Sequence, residues 1–598
     1  LLPQRILQGF FLFSLILILI LFSKTFQLQV VKGQDLLSQA EENKFIIYSI
    51  KAERGVIYDR NLNQLVFNQP AFDLICEKRD LPQEKDEILK EVSEIINKNF
   101  EELKEEIELS DSSQVLVSEN LSHQSLILLE AKINSQKLPG FQIENKTVRD
   151  YKEGSSFAHL LGYIGKIRKE ELKADSENYS IFDYVGRDGL EKSYEKILRK
   201  NPGKLRVQVD ALGNLVSRET VFLPESGKSL VLWLDSELQK EIIKSLERTL
   251  QATGAKQGVA VALDLKTGGV MALVSLPGFD NNIFQQGDTK TIESLLADPQ
   301  KSLFNRAISG TYPTGSTIKP LTASGALEEK IIEPEKKINC QGIITVPHQY
   351  DPEIIYDYED WKTHGWTDMR KAIAESCNVY FYTIGGGYGN QEGLGPSRIK
   401  KYLELFGWGN KTQIDLPGEA QGLVSDPAWK KAFKGEDWWD GDTYLLSIGQ
   451  GDILITPLQV ANSFSAIANG GTLFKPKVVQ KILDKDKNLI EEIKSEVLRE
   501  NFIDPESLQV IREGMREAVV YGSSAILNNL PVKAAAKTGT AQSTKPNLYH
   551  NWVTVFAPYD DPQIVLTVLI ENVTGVQAAA LPVARDVLYW YFTQENNF

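Results

Sequence analysis

One stretch of the chain, residues 312–320, has the sequence Tyr312-Pro313-Thr314-Gly315-Ser316-Thr317-Ile318-Lys319-Pro320. It holds a hydroxyl and an amine three residues apart, a spacing that puts both side chains on one face of a helix. A lysine without its proton can act as the base for a serine hydroxyl, provided that burial and positive neighbours lower the lysine pKa. The pattern therefore predicts a helix that presents Ser316 as a nucleophile and Lys319 as its base.

Two further polar motifs follow, and they read Ser376-Cys377-Asn378 and Lys537-Thr538-Gly539-Thr540. Taken singly, S-x-x-K arises by chance, the second motif is typical of a polar helix cap, and the third is typical of a strand end with a turn. In this order, the three are the motifs of serine enzymes that react with penicillin. Flanking segments at residues 305–307, 441–443 and 447–451 also look like that family. The chain resembles the class B penicillin-binding proteins.

The resemblance implies serine acyl transfer on peptidoglycan stem peptides, with covalent inhibition by β-lactams. Ser316 is expected to attack the penultimate D-alanine carbonyl of a stem pentapeptide, and Lys319 to accept its proton. Ser376 and Asn378 are expected to relay protons and position the peptide, while Lys537 adds a positive charge that faces the site. The amine of a neighbouring stem then attacks the acyl-enzyme, which forms the cross-link.

The third motif also supplies the expected substrate contacts. The hydroxyls of Thr538 and Thr540 are expected to bind the terminal carboxylate of the substrate. Gly539 has no side chain, which lets the substrate lie against the strand as an added edge. The backbone N–H groups of Ser316 and Thr540 are the candidates for the oxyanion hole.

A segment just after the third motif, His550-Asn551-Trp552, looks like the HxW element of the elongation-type members of the family. The cysteine inside the second motif, Cys377, points the same way. His550 and Trp552 are therefore expected at the substrate site. The alternative for His550 is a partly buried ring that hydrogen-bonds to the backbone. The resemblance further implies a RodA-like glycosyltransferase of the SEDS type and other elongation-complex proteins as partners.

Three rival functions share parts of this pattern. A β-lactam-hydrolysing or β-lactam-sensing protein uses the same chemistry but does not need a long region before the catalytic motifs. A bifunctional synthase would carry an E-D-x-x-F-x-x-H-x-G-like segment upstream, and the sequence has none. A scaffold that only activates a membrane glycosyltransferase would not need the intact set of Ser316, Lys319, Ser376, Asn378 and Lys537.

Length and charge limit the class of protein. A chain of 598 residues, with 42% hydrophobic and 24% charged residues, is too long for one core and predicts two or three globular domains. The net charge of -14 and the absence of a basic stripe argue against nucleic acid as a partner. With only 3 cysteines, the chain is not a disulfide-built scaffold.

An uncharged segment lies between Arg5 and Lys24, and it is close to the length that spans a bilayer as a helix. It predicts a short cytoplasmic tail at residues 1–5 and a transmembrane anchor at residues 6–25. The alternative is a cleaved signal peptide, but no A-x-A-like cleavage site follows. The enzyme assignment, rather than flanking charge, places the anchor in the inner (plasma) membrane as a single pass, with the catalytic part on the extracytoplasmic side.

The remainder is predicted to be α+β, beginning with an elongated mixed α/β pedestal domain at residues 26–225. Residues 54–61 are similar to the RGxIxDRNG motif that opens this pedestal, except that Leu62 stands where the family usually has glycine. That departure puts the tight turn in question. Between Leu81 and Leu109, apolar residues recur at helical spacing and predict a packed amphipathic helix or pair.

Turn residues at 224–228 mark the boundary to a predicted transpeptidase domain at residues 226–598. A buried strand at 258–264, a hairpin turn at 266–269 and a returning strand at 270–274 indicate an antiparallel sheet beside helices. The resemblance implies the penicilloyl-serine transferase fold, in which helices flank a sheet of five strands.

Four potential metal ligands, Cys340, Asp360, His364 and Cys377, lie within one window between the first motif and the end of the second. Thiolate, carboxylate and imidazole form the ligand set of tetrahedral zinc, and a metal at Cys377 could brace the wall of the active site. Unliganded buried thiols and a Cys340–Cys377 disulfide are the alternatives. The acyl transfer itself requires no cofactor.

Overall fold

Apolar strands after residue 257 assemble into a five-stranded antiparallel sheet in the computed structural model of the chain. The strand order is Val270–Leu276, Gly258–Asp264, Ile564–Thr574, Leu548–Ala557, Ala535–Gln542. The predicted first hairpin is confirmed, with its second strand extending to Leu276. Almost every residue of the first two strands is buried, as expected of a sheet covered on both faces. The strand that carries the third motif lies at an edge of the sheet.

Helices cover both faces of this sheet, which confirms the predicted α+β class. Ser236–Thr253 and Ala580–Gln594 pack together on one face, where their apolar residues form a core with the strands. Pro457–Ala468 lies on the other face and is buried along its whole length. The helix that follows the first motif, Lys319–Glu328, has nine of its ten residues buried.

The structure describes residues 4–32, 45–50, 52–110, 112–175, 179, 183–199, 203–209, 215–348, 351, 353–575 and 578–594. Its contacts divide the chain into two units: one holds residues 1–54 and 199–227, and the other holds residues 55–198 and 228–598.

The first unit contains a helix at Gln4–Phe26 that continues as a wider helical turn at Gln27–Val31. This helix is long and apolar enough to cross a membrane, and it covers the predicted span at residues 6–25. The same unit contains an antiparallel sheet of three strands, Phe45–Ile50, Gly203–Val209 and Leu215–Phe222.

A second large sheet in the other unit has seven strands. Six of them run in the order Leu489–Glu492, Val479–Leu483, Ser229–Leu232, Ile57–Tyr58, Gln64–Glu77, Gln114–Ser118. The seventh strand, Phe141–Tyr151, pairs along Gln64–Glu77. Parallel pairing of Ile57–Tyr58 with Leu230–Val231 joins strands that precede the catalytic motifs to strands of the catalytic part.

The segment from Leu81 to Leu109 forms a pair of helices, Asp86–Ile96 and Phe100–Leu109, as its periodicity predicts. Their apolar faces pack into a core with the neighbouring strands. The other helices of residues 55–198 are Lys78–Asp80, His123–Asn134, Gly154–Leu161, Lys169–Ala174, Gly189–Ser193, Glu195–Leu198. A small hairpin is formed by Ile164–Lys166 and Tyr184–Gly186.

The catalytic part contains further short elements around the five-stranded sheet. Its remaining helices are Ile283–Gln286, Thr289–Leu296, Gly315–Ile318, Met369–Ala374, Asn378–Gly386, Gly395–Leu405, Pro427–Lys434, Asp440–Ser447, Pro505–Val520, Ala525–Asn529. Its remaining strands form four two-stranded pairs, Ile338–Cys340 with Gly365–Thr367, Ile343–Pro347 with Ile355–Glu359, Leu423–Val424 with Ile453–Leu454, Leu473–Phe474 with Val497–Arg499.

The tight turn after Tyr58 forms even though Leu62 replaces the usual glycine. Asp59 holds the turn: its carboxylate accepts the N–H groups of Asn61 and Asn63 at 2.9 and 2.8 Å. The Ser236 hydroxyl donates to the same carboxylate at 2.6 Å. Leu62 adopts a φ of 64°, in the left-handed region where a Cβ atom causes strain. The turn geometry is therefore kept at the expense of local backbone strain.

We expect the Leu62→Gly variant to be more stable than Leu62→Ala by about 1 kcal/mol, because only glycine relieves the strain of the left-handed backbone. Leu62 is 53% exposed, so loss of its side chain removes little packing. Chemical denaturation of both variants measures the difference. Equal stability of the two would show that the backbone at this position is not strained.

Candidate active site

The first motif folds as a tight helical turn, Gly315–Ile318, that runs directly into the helix Lys319–Glu328. Ser316 is half-buried and Lys319 is fully buried, one turn apart along the same helical stretch. A Cβ atom on Gly315 would lie 2.5 Å from the backbone oxygen and 3.0 Å from the backbone nitrogen of Thr540. The Thr540 N–H therefore lies close to the segment that carries Ser316. The N–H groups of these two residues are the candidates for the oxyanion hole.

The Lys319 amine is surrounded by oxygen atoms of the second motif. It donates to the Ser376 carbonyl and the Asn378 side-chain oxygen, each at 2.7 Å, and lies 3.3 Å from the Ser376 hydroxyl. The Phe381 ring lies 5.4 Å away on another side. Burial lowers the pKa of Lys319 to about 8, although Asp360 and Cys377 act in the opposite direction. A substantial fraction of this amine is therefore neutral near physiological pH.

The Lys537 amine approaches the same hydroxyl from the third motif. It donates to the Ser376 hydroxyl at 2.9 Å and to the Thr538 carbonyl at 3.1 Å. Burial, and then repulsion by Lys319, hold the pKa of Lys537 well below its usual value. The Ser376 hydroxyl thus lies between two buried amines and can pass a proton to or from either of them.

Ser376 adopts a φ of 59°, in the left-handed region that side chains other than glycine rarely occupy. Strain of this kind persists only where the surrounding structure enforces it, and it is concentrated at functional sites. Here Cys377 begins a new helix by accepting the Tyr380 N–H with its sulfur at 3.3 Å. The sharp turn before that helix directs both the carbonyl and the hydroxyl of Ser376 towards Lys319.

The third motif pairs with the strand that carries the HxW element, with Gly539 opposite Trp552 and Thr540 opposite Asn551. A Cβ atom on Gly539 would lie 2.6 Å from the Thr314 carbonyl. Residues 312–316 form the candidate nucleophile loop. Contact with this loop is therefore a further reason for glycine at position 539, besides the predicted room for substrate. The Thr538 hydroxyl donates to the Ser523 hydroxyl at 3.1 Å, a contact that the sequence did not predict.

Trp552 and His550 lie against the loop that leads to Ser316. Trp552 is buried and its indole N–H donates to the Pro313 carbonyl at 3.1 Å. The Tyr312 ring meets both side chains edge-on, with its centroid 5.4 Å from His550 and 6.1 Å from Trp552. Burial lowers the pKa of His550 to about 4, so the ring is neutral. Their contacts suit positioning of the loop.

A second support for the loop comes from Glu571, which the sequence analysis missed. Its carboxylate accepts the Tyr312 hydroxyl at 2.7 Å and the Arg306 guanidinium at 3.1 Å. All three side chains are largely buried. The signal in the sequence is a single acidic residue near the end of the apolar strand Ile564–Thr574, together with the arginine of the family-like segment 305–307.

Three of the four potential metal ligands lie together. The donor atoms of Asp360, His364 and Cys377 are all within 4.8 Å of one another. Asp360 belongs to this group, and its carboxylate accepts the Cys377 S–H at 3.3 Å. Cys340 lies outside the group, and its thiol donates to the Ile338 carbonyl at 3.8 Å. All three cysteines of the chain are free thiols, so the Cys340–Cys377 disulfide is absent.

A serine and a buried lysine one helical turn apart, beside the edge strand Ala535–Gln542, suit a serine acyltransferase that takes an extended peptide. Family models identify the class further: the penicillin binding protein transpeptidase domain matches residues 258–589, and the penicillin-binding protein dimerisation domain matches residues 49–232. The chain belongs to the penicillin-binding protein family.

Individual relatives agree with this assignment. The peptidoglycan D,D-transpeptidase MrdA of Acinetobacter baumannii is 32% identical over 99% of this chain and 89% of the relative, and MrdA of Escherichia coli is 29% identical over 98% and 94%. A structure of PBP2 with MreC from Helicobacter pylori is 28% identical, with a TM-score of 0.80 over 93% of this chain and 99% of that one. The chain is therefore a peptidoglycan D,D-transpeptidase of the class B type, similar to PBP2.

A structure described as a peptidoglycan synthase complex that coordinates polymerisation and crosslinking contains a chain 27% identical to this one. It has a TM-score of 0.73 and covers 98% of each chain. The pedestal-like region and the catalytic part are thus both present in the similar protein.

We expect Tyr312→Phe to lower the rate of acylation by a fluorescent penicillin roughly tenfold, because the nucleophile loop loses its hydrogen bond to a buried carboxylate. Tyr589→Phe is the matched control, since Tyr589 is 53% exposed on the C-terminal helix. Gel-based labelling over time gives both rates. A rate for Tyr312→Phe equal to that of the control would mean that Glu571 does not position the loop.

Proposed function

We propose that Ser316 is the nucleophile of this transpeptidase, that Lys319 is its base, and that Ser376 carries protons towards the leaving amine. The observation that carries this proposal is the pair of buried amines around one hydroxyl, with Lys319 at 3.3 Å and Lys537 at 2.9 Å from Ser376 Oγ. Neutral Lys319 can accept the Ser316 proton, and the Ser376 hydroxyl can pass this proton on towards the leaving amine. Asn378 holds the Lys319 amine through its side-chain oxygen.

In the proposed reaction, the D-alanyl-D-alanine end of a stem peptide lies along the edge strand Ala535–Gln542. Thr538 and Thr540 bind its carboxylate, and the N–H groups of Ser316 and Thr540 stabilise the oxyanion. Ser316 Oγ forms a bond to the penultimate carbonyl carbon, the terminal D-alanine leaves with a proton, and a second stem amine then displaces the serine. β-Lactams stop the cycle at the acyl-enzyme. The MrdA relatives, which are peptidoglycan D,D-transpeptidases, support the cross-linking reaction, and cell-wall elongation is its proposed setting.

The test of this proposal is acylation by benzylpenicillin, followed by mass spectrometry of the modified peptide. Ser316→Ala abolishes the adduct and Lys319→Ala nearly does, while both variants keep the wild-type fold by circular dichroism. A persistent adduct on folded Ser316→Ala would overturn the assignment. Rapid release of hydrolysed penicillin by the wild type would instead favour a β-lactamase.

The acylation rate is expected to rise with pH and to reach half of its maximum near the Lys319 pKa of about 8, because only neutral Lys319 can take the serine proton. The amine is half neutral at its pKa and becomes fully neutral only well above it, so the rate increases from the acidic side. Lys319→Arg is the matched variant that keeps the charge but does not deprotonate, and it stays inactive at every pH. A flat profile in the wild type between pH 6.5 and 9 would contradict the role of Lys319.

We further propose that Asp360, His364 and Cys377 hold a structural zinc ion, with Cys340 as the fourth ligand after a small movement. His364 Nε2 supports this proposal: it is buried without a hydrogen-bond partner among the described residues, and lies 3.5 Å from Asp360. The Glu375 carboxylate accepts a hydrogen bond from the other ring nitrogen, Nδ1, at 2.7 Å, and this contact orients Nε2 towards Asp360 and Cys377. The ion would brace the turn that carries Ser376 and supplies no step of the acyl transfer.

Elemental analysis of the purified chain is expected to find about one zinc per chain, as for a closed structural site. His364→Ala loses the metal and lowers the melting temperature, whereas His123→Ala, at an exposed helix start, changes neither. Metal-free protein with a normal melting temperature and a normal acylation rate would rule out the zinc site.

For localisation and partners, we propose a single-pass anchor in the inner membrane at residues 6–25, with the pedestal at 26–225 and the transpeptidase domain at 226–598 outside the cytoplasm. A RodA-like SEDS glycosyltransferase is the proposed partner, because the chain has no polymerising segment of its own and cross-linking needs new glycan. The structure of H. pylori PBP2 in complex with MreC supports assembly with other proteins.

Co-purification from membranes tests this partner. Replacement of residues 1–225 would open the seven-stranded sheet at Ile57–Tyr58, so the informative variant exchanges only residues 1–32 for an unrelated span. We expect recovery of the glycosyltransferase to fall strongly while penicillin labelling stays normal. Unchanged recovery would count against the anchor as a binding surface.

A further inference from the structure

The turn at residues 521–524 connects the second and third motifs, although it belongs to neither. It follows the helix Pro505–Val520. The Ser523 N–H donates to the Ala374 carbonyl at 3.1 Å, and a Cβ atom on Gly522 would lie 2.3 Å from that same oxygen. Ala374 ends the helix that leads into the second motif. The backbone of this turn is thus fixed against the segment that carries Ser376.

The Ser523 side chain reaches the opposite motif. Its hydroxyl is half-buried and accepts the Thr538 hydroxyl at 3.1 Å. A hydroxyl carries one proton and two acceptor sites, so Thr538 donates its single proton to Ser523 in this arrangement. Within the described part of the chain, the proton of Ser523 itself meets no acceptor at hydrogen-bond distance. The direction of this hydrogen bond can therefore reverse without loss of another one.

We propose that Ser523 is a positioning residue for the carboxylate of the substrate, acting through Thr538. A bound carboxylate takes the Thr538 proton, and Ser523 then donates its own proton to the Thr538 oxygen. The resulting chain of two hydroxyls ends on a charged acceptor, where each hydrogen bond polarises the next and strengthens it. This inference rests on the proposed role of Thr538 and deepens it, since the preference for a free C-terminal carboxylate would depend on a residue outside the three motifs.

The hydroxyl and the backbone of Ser523 have separate contacts, which makes the proposal testable. Ser523 contacts Ala374 through its backbone N–H, so Ser523→Ala keeps that hydrogen bond and removes only the contact with Thr538. The next residue supplies a matched control, because the Ser524 hydroxyl is buried and has no partner among the residues that the structure describes. Ser523→Thr keeps a hydroxyl at the same position.

The experiment compares two acylating agents on the full chain in detergent: benzylpenicillin, which has a free carboxylate, and its methyl ester, which has none. Mass spectrometry gives the second-order rate constant for the adduct on Ser316. Ser523→Ala is expected to lower the constant for benzylpenicillin roughly five- to tenfold and to leave that for the ester unchanged. Ser523→Thr restores the wild-type ratio, and Ser524→Ala matches wild type with both agents.

An equal loss with both agents would overturn the inference, because a purely structural role of Ser523 affects every acylating agent alike. Unchanged rates with both agents would overturn it as well. Absence of any adduct on wild-type Ser316 would overturn the proposed function and this inference together, so the two failures are distinguishable.

Discussion

Burial of two amines beside one hydroxyl is the constraint on which the active site depends. A buried ammonium is stable only if oxygen atoms replace its water or if it gives up its proton, and two such groups also repel each other. The chain meets this constraint at Lys319 with a backbone carbonyl and a side-chain amide oxygen, both from the second motif. The two oxygens belong to Ser376 and Asn378, and the chain turns between them through the left-handed conformation of Ser376. Burial lowers the pKa of both lysines, and the strained residue supplies one of the oxygens that Lys319 contacts.

Glycine at three positions keeps the nucleophile loop close to the edge strand. The Gly315 N–H donates to the Gly449 carbonyl at 2.9 Å, and a Cβ atom on Gly449 would lie 2.1 Å from the Gly315 carbonyl. Gly539 meets the same loop from the strand. Backbone therefore packs on backbone around Ser316, an arrangement with few rotatable side chains, so the position of the proposed nucleophile is fixed without substrate.

Local patterns predicted the parts of the fold and site whose signal lies within a few residues. Apolar runs gave the first hairpin, and helical periodicity gave the pair of helices before residue 110. The three motifs, each readable on its own, lie together around Ser376. Single tertiary contacts had no such signal, since the partners Tyr312 and Glu571, or Ser523 and Thr538, belong to different segments and follow no period. The metal ligands show the same limit: four candidates lie in one stretch of sequence, and folding leaves Cys340 outside the group.

The strands of the seven-stranded sheet come from distant parts of the sequence and are synthesised at different times. Ile57–Tyr58 is synthesised early, its parallel neighbour Ser229–Leu232 comes much later, and Val479–Leu483, which covers the other side of that neighbour, comes later still. During synthesis, the growing sheet carries an open edge that other chains could pair with. The charged, exposed strand Leu489–Glu492 finally closes this side with acidic residues. The strands before the catalytic motifs therefore complete their sheet only after most of the chain has been made.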